Sequence, residues 1–263
     1  MMISNLAKTI VIMIFMTGTA FGAHPLITDD TGTNGKGNFQ MELTGEFSYD
    51  KEKSGGVTVK EKGYEAGAAI SAGILDTLDI VCAIPYQWNR TEEDGTTISE
   101  EDGISDIGLE LKWRFFEQNG LCFALKPGLT IPSGDENKGL GTGRIGYGAT
   151  FIATKEIDPF TFHLNLGYAH SEYKLDEDKD GNRKDIWHVS LAGVYKVSDD
   201  LQLVANIGVE KNPDKESSTD PSFALIGLIY SITPDLDVDL GLKAGLSGTE
   251  TDAALLTGLT MRF

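Results

Sequence analysis

The stretch AALLTGLTMRF, residues 253–263, decides the fold. Ala253, Leu255, Thr257, Leu259, Met261 and Phe263 fall on one side of an extended chain; Gly258, Thr260 and Arg262 fall on the other. Side chains of a strand alternate with a period of two, so the segment shows an apolar face and a mixed one. A soluble protein rarely carries an exposed aromatic at the end of such a strand. A bacterial outer-membrane barrel commonly does, because that strand closes the barrel. The expectation is therefore an all-β fold, a transmembrane antiparallel barrel, with Phe263 as the group read by the barrel-assembly machinery.

Working outward, the same alternation recurs. Phe39, Met41, Leu43, Phe47 and Tyr49 alternate with polar residues between Asn38 and Asp50. A helix would scatter these apolar residues all round, whereas a strand sorts them onto one face. Equivalent runs start near Tyr64, Leu78, Ile107, Leu121, Ile145, Phe160, Trp187, Leu201, Leu236 and Ala253. The run from Ser222 to Ile232 is apolar on both parities, and its faces stay unassigned. The total is about twelve strands, an even number, as a single-chain bacterial barrel requires.

Two further patterns agree. Long charged connections are expected at 51–62, 90–103, 133–143, 171–185, 211–221 and 247–252, alternating with tight ones. That matches long outer loops against short periplasmic turns. Strand directions then place Tyr49, Tyr64, Tyr86, Trp88, Tyr168 and Trp187 near the outer ends. Trp113, Phe115, Phe160, Phe162, Tyr195 and Phe263 come near the periplasmic ends. Two aromatic girdles are what a membrane-spanning wall needs where rings meet headgroups.

The N-terminus reads as an export signal. Lys8 precedes a short apolar core, Thr9 to Met16, and small residues follow. Cleavage is expected after Gly22, giving a signal peptide over 1–22, a segment over 23–37 and the barrel domain over 38–263. The apolar core is too short to span a bilayer as a helix. Outer-membrane lipids are then the surroundings. With 40 acidic against 22 basic residues, nucleic acid is not an expected partner. Cys82 reads as lipid-facing and Cys122 as lumen-facing, so no disulfide is expected between them.

Candidate chemistry is sparse. A barrel phospholipase needs a Ser and a His on one face, but His170 and Ser171 are adjacent and point to opposite faces. No catalytic residues and no enzyme activity are expected. Asp176, Asp178 and Asp180, followed by Gly181, open like a calcium loop. Trp187 stands where the closing Glu would be, and Lys179, Arg183 and Lys184 offset the charge, so a solvated acidic loop is preferred. No other metal or cofactor is expected.

The polar parity of the strands supplies the candidate lumen. On the early strands it comprises Glu42, Glu46, Glu65, Glu110, Lys112, Arg114 and Lys126. On the later ones it comprises His163, Asn165, Gln202, Asn206, Glu210, Asp237, Asp239, Lys243 and Arg262. These residues either pair as structural glue or line a narrow water path for small-molecule solutes. The segment HPLITDDTGTNGKG, residues 24–37, either hangs in the periplasm or folds into the lumen as a plug; the plug is the preferred expectation.

Three stretches resemble a known family. They are His24-Pro25 with Thr28 to Gly32 and Gly35 to Glu42; Gly103 to Ile107 with Lys112 to Phe115; and Pro132 to Asp135 with Gly139 to Gly143. Together they are similar to the outer-membrane proteins of the MetA-pathway of phenol degradation family. The resemblance implies a porin-like outer-membrane barrel, often described as a transporter, with a link to aromatic catabolism and no catalytic residues. The resulting expectation is a channel for passive uptake of small, hydrophobic or aromatic molecules. The alternative is a non-transporting barrel with a structural or surface-interaction role.

Overall fold

At membrane height the wall shows one exposed apolar parity and one covered parity, as the sequence pattern requires. The computed structural model describes residues 24–263, so the expected signal peptide lies outside the described residues. Thirteen strand segments follow one another in antiparallel order: β1 (Phe39–Ser54), β2 (Val57–Leu75), β3 (Leu78–Glu93), β4 (Thr96–Ile104), β5 (Ile107–Gln118), β6 (Leu121–Ile131), β7 (Gly146–Ile157), β8 (Phe160–His170), β9 (Asp185–Lys196), β10 (Leu201–Glu210), β11 (Ser222–Thr233), β12 (Leu236–Gly245) and β13 (Ala253–Arg262). Both β4 and β5 pair with β3, β4 along Tyr86–Glu93 and β5 along Leu78–Ala83. They are two halves of one wall position, so thirteen segments less one give twelve positions. The last strand returns to the first, with Gln40 opposite Arg262 and Tyr49 opposite Ala253. Phe39 and Phe263 exchange both backbone hydrogen bonds, at 3.1 and 2.8 Å, and complete the closure. The wall therefore closes without a free edge at membrane height.

Lipid-facing parity is continuous round the barrel. Leu43, Ile70, Ile84, Leu111, Leu166, Leu191, Ile207, Leu242 and Leu255 are all exposed. Phe47 packs on Tyr64 with ring centroids 4.9 Å apart, and Tyr86 packs on Trp88 at 4.4 Å, in the outer girdle. Phe160 packs on Tyr195 at 5.1 Å in the periplasmic one. A bulge between Arg114 and Phe116 turns both Phe115 and Phe116 outward. It thickens the periplasmic girdle with one ring more than strict alternation would place there. Cys82 and Cys122 are unbonded.

Two expectations need correction, and one open assignment is settled. Residues 51–62 and most of 90–103 are not loops. β1 and β2 run on to a Gly55-Gly56 turn, and β3 and β4 meet at Asp94-Gly95, both turns with positive φ. Charge misled the reading there, because β-strands outside the membrane need no apolar parity. The connection 171–185 contains a short helix, α1 (Asp176–Gly181). Finally, β11 has definite faces: Phe223 and Leu225 are covered, whereas Ile226, Leu228, Tyr230 and Ile232 are exposed.

The outward face sets a direct test. Leu43 stands opposite Leu259 near the middle of the membrane-facing wall. Leu43→Lys is expected to cost about 2–4 kcal/mol in urea titrations of barrel refolded into lipid vesicles. A loss below about 1 kcal/mol would mean that this face does not meet hydrocarbon.

Candidate functional site

Residues 24–38 touch β3, β5, β8, β9, β10 and β12 at once, which is possible only from inside the barrel. The path follows from its partners. His24 Nδ1 lies 2.6 Å from Asp239 Oδ1. The backbone N–H groups of Ile27 and Thr28 donate to Asn206 Oδ1 at 2.8 and 3.0 Å. Thr28 Oγ1 donates to Ser190 Oγ at 2.7 Å. The Asp29 N–H donates to Asn165 Oδ1 at 2.8 Å, and Asn165 Nδ2 donates back to the Asp29 carbonyl at 2.8 Å. Thr31 N–H reaches Thr154 Oγ1, and Asn34 N–H reaches Asp79 Oδ2 at 2.9 Å. An irregular segment cannot satisfy its own backbone groups, and here the inner wall supplies the partners.

Asp29 is the anchor. Its Oδ1 lies 2.8 Å from Lys112 Nζ and its Oδ2 lies 2.8 Å from Lys126 Nζ. All three residues are buried. Lys112 also reaches Asp30 at 3.3 Å, and Lys126 reaches Glu110 at 3.3 Å. Each buried charge therefore has an opposite partner, as low-dielectric burial demands. Two of the stretches quoted above, Thr28 to Gly32 and Lys112 to Phe115, meet in this cluster.

An apolar contact completes the docking. Leu26 is buried against Ala192, Val204, Phe223, Leu225, Ala254 and Leu256, with Ile27 beside them. This explains why β11 is apolar on both parities: one face meets lipid and the other meets Leu26. Glycines open the space. A Cβ on Gly227 or Gly241 would lie 2.8 or 2.7 Å from the Pro25 ring, and a Cβ on Gly73 would overlap the Gly35 carbonyl.

The remaining part of the second stretch, Gly103 to Ile107, meets the third, Pro132 to Gly143, at the outer mouth. The Asp106 carboxylate accepts from Gly134 N–H at 3.0 Å and Thr142 N–H at 2.9 Å. Ser105 Oγ donates to the Leu140 carbonyl at 2.6 Å, and Leu140 is buried. The break between β4 and β5 is thus the point at which the 132–145 loop is pinned over the opening. Lys174 pairs with Glu136 and holds its carboxyl below the usual range.

Between this lid of loops and the Asp29 segment lies a cavity of about 300 Å³. Leu26, Ile27 and Asp29 form its floor, and Phe223 and Leu256 line one wall. Glu46, Glu65, Glu110, Glu210 and Glu250 face it from elsewhere, together with Lys126 and Lys243.

The sixteen candidate lumen residues divide by partner. Lys112, Lys126 and Glu110 gather at Asp29; Asn165, Asn206 and Asp239 hold the segment directly. His163 supports it at one remove through Thr154 Oγ1, at 2.9 Å. Glu42 is buried and accepts from Gln40. Glu65 accepts from Gln87, Lys243 pairs with Glu250 at 3.2 Å, Arg262 with Asp237 at 2.6 Å and Arg114 with Glu117 at 3.4 Å. Glu210 lies 3.8 Å from His188, Glu46 lines the cavity, and Gln202 is half-buried near the start of β10. Asp29 and the Leu26 wall were not among the candidates. The signals for them were the two-sided β11 and Leu256 on the inner parity of β13.

Elsewhere, α1 sets Asp176 and Asp180 on one face and Asp178 on the opposite one, and Asp176 pairs with Lys179 at 2.7 Å. Among the described residues, no group of three or more His, Cys, Asp or Glu side chains is arranged to hold a metal. His170 bonds Asp185 at 2.8 Å, while the adjacent Ser171 is buried.

A family model described as "Putative MetA-pathway of phenol degradation" matches residues 28–263. No curated protein matches the sequence. Among solved structures, an outer-membrane channel from Pseudomonas putida F1 is similar with a TM-score of 0.70 at 14% identity, covering 89% of this chain and 98% of that one. The NanC porin is similar at 0.56 and 12% identity, covering 84% and 98%. The NalP autotransporter translocator domain from Neisseria meningitidis is similar at 0.54 and 13% identity, covering 89% and 91%. At these identities the likeness establishes the outer-membrane barrel fold.

The Asp29 cluster generates a test. Asp29→Asn leaves Lys112 and Lys126 buried opposite an amide, and is expected to cost the docked segment about 3–5 kcal/mol. Hydrogen exchange at the Thr28, Asp29 and Thr31 amides should then accelerate while exchange in the strands stays unchanged. Unchanged exchange at those amides would show that the ion cluster does not hold the segment.

Proposed function

The chain belongs to the MetA-pathway of phenol degradation family, and from that premise we propose that it is a passive outer-membrane channel for small, hydrophobic or aromatic molecules. The observation that carries this reading is the cavity of about 300 Å³ inside the barrel, with Leu26, Phe223 and Leu256 on its surface. Small-molecule sites run from about 300 to 1,000 Å³ and are mostly apolar with a few polar groups. A phenol-sized solute fits such a volume. Lys126 and Lys243 also line the cavity but are paired with Glu110 and Glu250, so the carboxylates of Glu46, Glu65 and Glu210 make it unfavourable to anions and the solute is neutral or cationic. The family description points to the same chemistry. The outer-membrane location is supported by the closed barrel and its girdles. Phe263, exposed and paired with Phe39, is the group offered to the assembly machinery.

A second reading draws on the Asp29 cluster. A segment held across the lumen by buried ion pairs also suits a sealed barrel with a structural or surface role.

Planar-bilayer recording separates the two. Deleting residues 23–34 is expected to raise single-channel conductance above that of the full chain. Liposomes carrying the full chain should take up phenol faster than empty liposomes. Silence from both forms, with uptake no faster than the empty control, would leave the sealed scaffold.

A further inference from the structure

The projecting β1–β2 hairpin carries an alternation of charge. Residues 50–53 read Asp-Lys-Glu-Lys, and residues 60–62 read Lys-Glu-Lys. On a strand, such alternation sorts the two signs onto opposite faces. The β1–β2 register is unbroken from Phe39 to Ser54, so the faces of the projection continue those of the wall below.

Phe47, Tyr64 and Trp88 form one outward row across β1, β2 and β3. The next outward row, two residues higher, is Tyr49, Lys62 and Arg90. The row above it is Lys51, Lys60 and Glu92, with Lys53 beyond. Asp50, Glu52, Glu61, Glu93 and Glu101 take the inward parity. In a chain of net charge −18, five cations therefore collect on one outward face.

Carboxylates on that face neutralise them only in part. Glu92 pairs with Lys62 at 3.1 Å and Arg90 at 3.2 Å, Glu100 stands opposite Arg90, and Asp102 accepts from the Tyr86 hydroxyl. Lys51, Lys53 and Lys60 make no ion pair among the described residues.

Position identifies the occupant. Aromatic rings mark the boundary between hydrocarbon and headgroups. A strand rises about 3.4 Å per residue and a barrel strand tilts by roughly 40°, so the two cation rows stand roughly 5 and 10 Å above the rings. That is the depth of lipid phosphates, and the face is continuous with the lipid-covered wall. We propose that Lys51, Lys53, Lys60, Lys62 and Arg90 bind the phosphates of the anionic glycolipid of the outer leaflet. The ammonium and guanidinium groups supply charge-assisted hydrogen bonds, and the rings below take the acyl chains. The same contact steadies two hairpins that otherwise stand free of the barrel.

The test uses the full refolded chain in neutral detergent micelles. It compares a bis-phosphorylated lipid A with its dephosphorylated form, with retained lipid counted by native mass spectrometry. The phosphorylated form should be retained and lost as salt is raised. The combined change Lys51→Gln, Lys60→Gln, Lys62→Gln and Arg90→Gln should weaken retention at least about tenfold. Lys155→Gln with Lys196→Gln, at the opposite rim, should leave it unchanged. Heat-modifiable gel migration checks that each variant is folded. Equal retention of both lipids by the unaltered chain would overturn the proposal without any variant. So would parental retention by the folded fourfold variant.

Discussion

Backbone groups in hydrocarbon have no water to bond, and that constraint governs this molecule. A single open sheet would leave two rows of unpaired N–H and C=O groups in lipid. The ladder between β1 and β13, finished by the reciprocal bonds of Phe39 and Phe263, removes both rows. Everything else depends on that closure. It sets an inside and an outside, and so sorts residues on each strand into lipid-facing and covered.

Closure also creates a problem of volume. Eight strands make an interior that side chains fill, whereas twelve make a wider one. The chain answers with its own N-terminal segment. Polar wall residues bond its backbone, Leu26 covers an apolar patch of the wall, and Asp29 balances Lys112 and Lys126. Without Asp29, two ammonium groups would face each other's field in a buried site. The inner wall is thus shaped to a peptide, with glycines where the peptide runs closest. What remains open is a chamber between that peptide and the loops pinned by Asp106.

Much of this was legible from alternation alone. A lipid-facing position must be apolar, so β1, β5 and β12 announce their faces residue by residue. The two hairpins beyond the membrane escaped detection for the same reason: outside lipid, a strand need not be apolar on either side. In the β1–β2 hairpin the Lys-Glu-Lys alternation was a period-two signal, but of charge rather than hydropathy. β11 was ambiguous because its inner face meets Leu26 instead of water.

The sequence by itself determined the class of fold, the number of wall positions and the side each membrane residue takes. Lipid and water impose those choices locally, on every second residue. Only the tertiary structure decided where the segment before β1 goes, which lysines meet Asp29 and how the 132–145 loop closes the mouth. Those pairings join residues as far apart as His24 and Asp239. They depend on strand register round the closed wall, and no local period records which side chains that register brings face to face.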